Sequence, residues 1–177
     1  MANTIIAVGI KKLYYFDTSL VTEDLTGSKL YALIEQMTEI TNVHQDTWSL
    51  EESEASITGY KNQLTGKLYR QDKEEGEVTI NFTIGEYDYA TKAALLGGTA
   101  TDTSWKRSRE KFLIEKGFYA ITEDDQHVVV PRANVVAREA TGDKAVQLPV
   151  RATELEPKDT AIAAEYWFDG SEVVASA

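Results

Sequence analysis

Histidine and cysteine are the side chains that most often carry out chemistry in proteins, and this sequence offers few of them. It contains two histidines, His44 and His127, and no cysteine. The lack of cysteine excludes disulfides, thiolate zinc sites and cysteine nucleophiles. No G-x-S-x-G nucleophile elbow occurs. We therefore expect no enzymatic activity and no transition-metal site, and we interpret both histidines as ordinary surface or strand-edge residues.

Acidic residues and glycines give two further patterns that could bind ligands. The run Glu123-Asp124-Asp125 could hold a hard cation such as calcium, but it lacks the spaced oxygens and the glycine of an EF-hand loop. Gly97-Gly98 follows a predicted helix, whereas a phosphate-binding loop precedes one. We interpret the acidic run as a solvated turn and the glycine pair as a helix stop, and we expect no cofactor.

One local excess of positive charge stands out. Lys106, Arg107 and Arg109 lie within four positions, with Trp105 before them and Lys111 after them. Such a cluster could contact phosphate or an acidic neighbour, or it could be a solvated loop. We favour a patch that is complementary to an acidic segment of an identical subunit.

The overall charge argues against an ordinary nucleic-acid-binding protein. The 177 residues carry a formal net charge of −11, with 42% hydrophobic and 27% charged residues. Phosphate neutralisation supplies most of the affinity of a simple duplex binder, and it requires a basic face. The charge fits a solubilising surface, or a surface that DNA must pass without adhering. The sequence has no long apolar run, and its N-terminus has no basic region before an apolar stretch, so we expect no membrane span and no secretory signal.

Strands dominate the elements that must position these residues. The clearest strand is 78–84, where Val78, Ile80, Phe82 and Ile84 alternate with polar residues. Other predicted strands are 10–16, 38–43, 47–50, 111–121, 127–130, 134–140, 145–153 and 164–168.

Two short helices are predicted among these strands. Apolar residues at helical spacing indicate the first, from Leu30 to Met37, with Thr26 or Ser28 as its cap. The second is predicted over 86–96, ending at Gly97-Gly98. Short strands with few helices favour a mainly β fold, a sandwich or barrel with one or two short flanking α-helices. No linker or repeat divides the chain, so we expect a single domain over residues 1–177.

Three segments are predicted to be less regular. Residues 51–66 are polar with few apolar anchors, which favours a long loop or arm. Residues 68–70 and 77–84 are expected to form a hairpin around the charged turn 72–76. Residues 170–177 are expected to be a flexible C-terminal tail, or to dock on a neighbour.

The order of these elements resembles the major tail protein family of long-tailed bacteriophages, whose members form the tail tube. The resemblance covers residues 10–153. It is carried by 40–43 and 46–49, the polar arm, 60–66, and the strand within 76–88 that passes into a helix ending at 95–98.

The resemblance implies a non-enzymatic subunit that assembles into rings, expected as hexamers, which stack into a tube. DNA would pass through this tube during ejection without specific binding. Its partners would be further copies of itself and the tape-measure, tail terminator and tail tip proteins. Its location would be the virion tail, after assembly in the bacterial host cytoplasm.

Candidate residues for these roles follow from exposure and alternation. On the predicted strand 78–84, the polar side chains Thr79, Asn81 and Thr83 are expected to face a polar, acidic lumen. Ring or stacking contacts are expected at Glu51, Glu52, Glu54, Tyr60, Leu64, Lys106, Arg107 and Arg109. The physical driving force would be open sheet edges, whose unpaired N–H and C=O groups seek a partner strand.

Other classes of function stay open at this point. The chain could be another virion or surface β-module, such as a head–tail connector or an adhesin. It could also be the tube protein of a contractile injection or secretion system. An enzyme or small-ligand binder built on a β-barrel would instead show a deep apolar pocket.

Overall fold

The computed structural model describes residues 4–110 and 112–175. Its helices are α1 (Gly27–Leu33) and α2 (Tyr89–Leu96), with 3-10 turns at Ile34–Gln36 and Gly170–Glu172. The strands are β1 Lys12–Phe16, β2 Thr38–Ile40, β3 Ser49–Glu52, β4 Ser56–Lys61, β5 Leu68–Glu74, β6 Val78–Ile84, β7 Thr99–Thr101, β8 Ser104–Lys106, β9 Ile114–Ile121, β10 Gln126–Ala137, β11 Ala140–Gly142, β12 Ala145–Glu154 and β13 Tyr166–Asp169.

Within the described residues, nine strands form one antiparallel sheet in the order β2-β1-β9-β10-β12-β6-β3, with β11 beside β12 and β13 beside β10. The two ends of this sheet approach each other where Val43 bridges Ile84. The N–H of His44 also donates to the carbonyl of Thr83 at 2.7 Å. The result is a barrel-like sandwich, and the predicted mainly β fold with two short helices is confirmed.

Strand β10 is the long central strand of the sheet. The sequence predicts two separate strands here, 127–130 and 134–140, but the chain continues through Pro131 with a shift of register against β9. Proline has no N–H to donate to the ladder, which is why it is found at such irregularities. Strand β13 pairs with the first part of β10 and β12 pairs with the second part.

The main core lies inside the sandwich. Ile80, Phe82 and Ile84 of β6 are buried there, and the ring of Phe82 meets that of Phe118 edge-on with centroids 5.8 Å apart. The polar residues between them lie on the opposite face of the strand. The predicted alternation of β6 is therefore confirmed, whereas the assignment of its polar face to a lumen stays a prediction.

A second core covers the other face of β1 and β9. Tyr14 stacks on Tyr119 at 5.3 Å between ring centroids, and Leu30 of α1 closes over this cluster. Helix α1 begins at the predicted cap Thr26, whose hydroxyl accepts from the N–H of Lys29. Because both faces of β1 and β9 are buried, these strands form the rigid centre of the molecule.

Helix α2 begins three residues later than predicted and ends at the predicted glycine stop. The carboxylate of Asp88 accepts from the N–H of Thr91 at 2.7 Å, and this hydrogen bond lowers the pKa of Asp88. The helix ends at Gly97, whose φ of 83° favours glycine. In the described part of the chain, no helix has the length and apolar character needed to cross a membrane.

Two of the predictions for the irregular segments are wrong. Residues 51–66 are not a long loop, because they contain the end of β3 and the whole of β4. Strand β5 does not pair with β6 as predicted. It forms a separate two-stranded hairpin with β4, while β6 pairs with β3 and β12. The exposed side chains of β4 and β5 explain the error, since they carry no apolar alternation.

The C-terminal segment is docked, which corrects the expectation of a flexible tail at 170–177. Gly170–Glu172 form a 3-10 turn, and Asp169 caps it by accepting from the N–H of Ser171. Val173 is buried in the second core. Residues 176 and 177 lie outside the described residues.

The buried pair Tyr119 and His127 should be a measurable part of the stability. Their side chains share a hydrogen bond of 2.6 Å in the buried interior. Burial lowers the pKa of His127, which favours the neutral imidazole. We expect Tyr119→Phe to lower the free energy of unfolding by about 1–3 kcal/mol, because it leaves a buried ring nitrogen without a partner. Urea unfolding measures this, with the exposed Tyr69→Phe as the control. Equal midpoints for the two variants would contradict it.

Candidate functional site

The hairpin β4–β5 projects from the domain and pairs with no other described strand. Its residues run exposed along both strands, and Leu64 near its tip is 95% exposed. An isolated two-stranded hairpin is only marginally stable in water. A long exposed hairpin of this kind is therefore suited to docking on another surface.

The two faces of the hairpin differ in chemistry. On one face, Arg70 donates to both carboxylate oxygens of Asp72, at 2.9 and 3.0 Å, and its guanidinium lies over the ring of Tyr60. On the other face, Leu68 lies against Gly59, where an added Cβ would come within 2.7 Å of Leu68 Cδ1. Ile57 is exposed. The hairpin thus offers one charged face and exposed aliphatic side chains for contact.

The base of the hairpin is fixed by a clamp between Ser53 and Glu77. The N–H of Ser53 donates to the carbonyl of Glu77 at 3.0 Å, and the N–H of Glu77 donates to Ser53 Oγ at 2.8 Å. Three of the predicted interface residues, Glu51, Glu52 and Glu54, are exposed on either side of this clamp. The structure therefore places them at the root of the hairpin and not on a flexible arm.

A partly buried carboxyl group lies close to this root. Glu154 Oε2 is buried without a hydrogen-bond partner among the described residues. Burial raises the pKa of Glu154 to about 7, with further contributions from the carboxylates of Glu165 and Glu52. Sequence analysis missed this group because the three glutamates are far apart along the chain.

The predicted basic cluster is partly used within the chain. Trp105 lies between two cations, with Lys92 Nζ 4.1 Å and the Arg107 guanidinium 5.2 Å from its ring centroid. Arg107 Nη2 also donates to Glu139 at 2.8 Å, and Lys92 forms an ion pair with the same carboxylate. These partners, Lys92 first, lower the pKa of Glu139. Arg107 is therefore a local structural residue.

The rest of the cluster remains available. Lys106 and Arg109 are exposed and form no ion pair with the described residues. Lys111, predicted as part of the cluster, lies outside the described residues. Whether this surface meets an acidic segment of another subunit stays a prediction.

The hairpin and the basic cluster lie at opposite ends of β6. The hairpin precedes Val78, whereas Ile84 leads into α2, whose Lys92 stacks on Trp105. Seven residues of extended strand span about 20 Å. The two ends of the molecule therefore differ. The exposed aliphatic residues of the hairpin and Glu51, Glu52 and Glu54 lie at one end, and Lys106 and Arg109 lie at the other, although the hairpin itself also carries basic residues.

Thr79, Asn81 and Thr83 lie on one face of the sheet formed by β3, β6, β12 and β10. We call it the polar face, although Pro149 and the exposed Val136 also lie on it. Asn81 Nδ2 donates to Ser49 Oγ at 3.3 Å, and Arg151 lies opposite Asn81 on β12. The structure thus brings the three predicted lumen residues together on one exposed side of the sheet.

The charge of this surface is mixed, so its expected acidic character stays a prediction. Arg138 and Arg151 are exposed on it, beside a depression of about 330 Å³. Glu51, Glu52 and Glu77 line the adjoining depression together with Arg151. Net charge alone does not predict this distribution, because it does not say which side chains share a face.

The histidines and the acidic turn have structural partners. His44 Nε2 lies 3.1 Å from the carboxylate of Asp143, and His127 is buried against Tyr119. Asp124 accepts from the N–H of Val8 at 3.0 Å, so the turn holds the segment before β1. Among the described residues, no three histidine, cysteine or acidic side chains are grouped to hold a metal ion.

Glu154 predicts a specific pH dependence of stability. Its ordinary pKa of 4.5 is raised to about 7 in the folded state, so the folded chain binds more protons between these values. The contribution of Glu154 to the stability should therefore decrease as the pH rises from 4.5 to 7. Since Glu154 is only partly buried, we expect Glu154→Gln to gain about 1–2 kcal/mol at a pH above this range and nothing below it. Urea unfolding at several pH values measures this, with the exposed Glu156→Gln as control. A parallel pH profile for the native protein and Glu154→Gln would contradict it.

No protein-family model matches the sequence, and no curated protein matches it either. The arrangement of the hairpin, the basic cluster and the polar face therefore carries the functional argument.

Proposed function

We propose that the chain is a structural subunit that assembles into stacked rings and forms a phage tail tube, a conduit through which DNA passes. The projecting hairpin β4–β5 is the observation that carries this proposal. Its exposed aliphatic residues, above all Leu64, are not buried by the rest of the domain, so they contribute little to its stability. Burial against a neighbouring subunit would stabilise both the hairpin and the contact.

Contacts within a ring are supported by the free edges of the sheet. In the described chain, β3 pairs only with β6, and β13 pairs only with β10. The other side of each strand presents unpaired N–H and C=O groups, which a strand of a neighbour can satisfy. Because two different edges would meet, the contact is heterologous. Such contacts form a ring when the rotation from one subunit to the next closes on itself.

Contacts between rings are supported by the polarity of the molecule. A hairpin at one end and exposed cations at the other suit head-to-tail stacking, in which each end meets its opposite. Lys106 and Arg109 would lie near Glu51, Glu52 and Glu54 of the next subunit. In this assembly the polar face of β6 lines the bore. Hexameric symmetry, and tape-measure, tail terminator and tail tip proteins as partners, complete the proposal through the family resemblance.

Changing the tip of the hairpin tests the stacking contact. We expect Leu64→Asp to leave the fold intact and to abolish tubes, because it introduces a charge into an apolar contact. Electron microscopy of concentrated purified protein measures this. The matched control is Tyr31→Asp, an exposed aromatic residue on α1.

Rings or tubes of uniform bore in the native protein and in the control, and none in Leu64→Asp, are the expected result. A native protein that stays monomeric at every concentration would contradict the proposal. Tubes formed by Leu64→Asp would exclude the hairpin tip from the contact.

Reversing the free cations tests the other end of the molecule. We expect the double variant Lys106→Glu with Arg109→Glu to form rings that do not stack, because like charges then meet across the interface. Arg107 is left unchanged, since it is paired with Glu139 within the chain. Sedimentation and electron microscopy separate rings from tubes, with Lys144→Glu and Lys158→Glu as the control pair. Normal tubes in the first pair would remove the basic cluster from the stacking interface.

A further inference from the structure

We propose that Arg138 and Arg151 contact the phosphodiester backbone of duplex DNA on the polar face of β3, β6, β12 and β10. The inference rests on the proposed function only for the route that brings DNA to this face. The contact itself is a property of the single subunit and can be measured on it.

The register of the sheet places both arginines on one side. Arg151 lies opposite Asn81 on β6, and the N–H of Arg138 donates to the carbonyl of Pro149, two residues before Arg151. Both arginines line the same depression as Asn81 and Thr83. Two residues along a strand span about 7 Å. Each strand of B-DNA presents a phosphate about every 3.4 Å along its axis, so both arginines can reach the same DNA strand.

The chemistry of the face fits phosphate oxygens. Neither arginine forms an ion pair with the described residues, so both guanidinium groups are free to donate. The hydroxyl of Thr83 and the amide of Asn81 line the depression beside them. Arginine with hydroxyl and amide donors is the combination that proteins use on phosphate backbones. Contacts of this kind to the phosphate backbone do not depend on the base sequence. This fits a surface that all parts of a genome must pass.

The charges on this face predict a weak contact with DNA. Only two cations face the DNA, and Glu51, Glu52 and Glu77 line the adjoining depression beside Arg151. The chain as a whole has a net charge of −11. Neutralising two phosphates changes log affinity with log salt by a slope of about −1.8. A contact of this size is made and released easily, so it can guide moving DNA without holding it. An acidic protein segment would also pair with arginine, and the test separates it from DNA.

The test is a titration of the isotope-labelled subunit with a short DNA duplex, followed by NMR. We expect signal shifts confined to Arg138, Arg151, Asn81 and Thr83, and an affinity that falls about tenfold between about 50 and 200 mM salt. The variant pair Arg138→Gln with Arg151→Gln should lose the shifts at Asn81 and Thr83. The control pair Lys144→Gln with Lys158→Gln changes the net charge equally and should keep them.

Each other outcome overturns the inference. Absent shifts, shifts located at Lys106 and Arg109, or equal loss in both variant pairs would exclude a specific contact through this face. Polyglutamate that displaces the duplex at equal charge concentration would assign the face to an acidic protein. Because the titration is independent of tube formation, its failure is distinguishable from failure of the assembly experiments.

Discussion

Burial of both faces of β1 and β9 is the constraint on which the rest of the structure depends. Leu13 and Tyr15 point into the sandwich, while Tyr14 and Phe16 point to the layer closed by α1. Shifting such a strand by one residue would exchange its two sets of side chains, and each set fits only its own layer. Gly117 shows how close the fit is, since an added Cβ would come within 2.1 Å of the Phe16 ring. The register of these two strands therefore fixes β10 and, through it, the strands that carry the polar face.

The sequence predicts elements well where one local signal is sufficient. Strand β6 has clear alternation and α2 has a glycine stop, so the strand and the end of the helix are predicted correctly. The start of α2 is predicted three residues too early, because Asp88 is not identified as its cap. The hairpin β4–β5 could not be predicted in the same way. Its strands have no buried face, and β-alternation in a sequence is the trace of such a face. Strands β3 and β6 pair with each other although the whole hairpin β4–β5 lies between them in the sequence. Local sequence patterns do not predict pairing over such a separation.

Some features of the candidate site could be predicted from the sequence and others could not, because local patterns do not predict contacts between distant strands. The exposure of Leu64 and the grouping of Thr79, Asn81 and Thr83 follow from position and alternation within one strand. The partners of Arg107 and the surroundings of Glu154 come from distant strands, so only the folded chain reveals them. The charge of the polar face is a similar case. A chain that is acidic overall turns two arginines toward one side of the sheet, and net charge does not predict this placement.

The clamp between Ser53 and Glu77 has a mechanical consequence. It ties down the root of the hairpin with two reciprocal hydrogen bonds, while the strands beyond it are supported only by each other. A hairpin that is fixed only at its root can tilt about that root without disturbing the core. In the proposed stack of rings, neighbouring rings would tilt relative to each other while the tips of the hairpins stay in contact with the next ring. The assembled filament would then bend elastically instead of fracturing between rings.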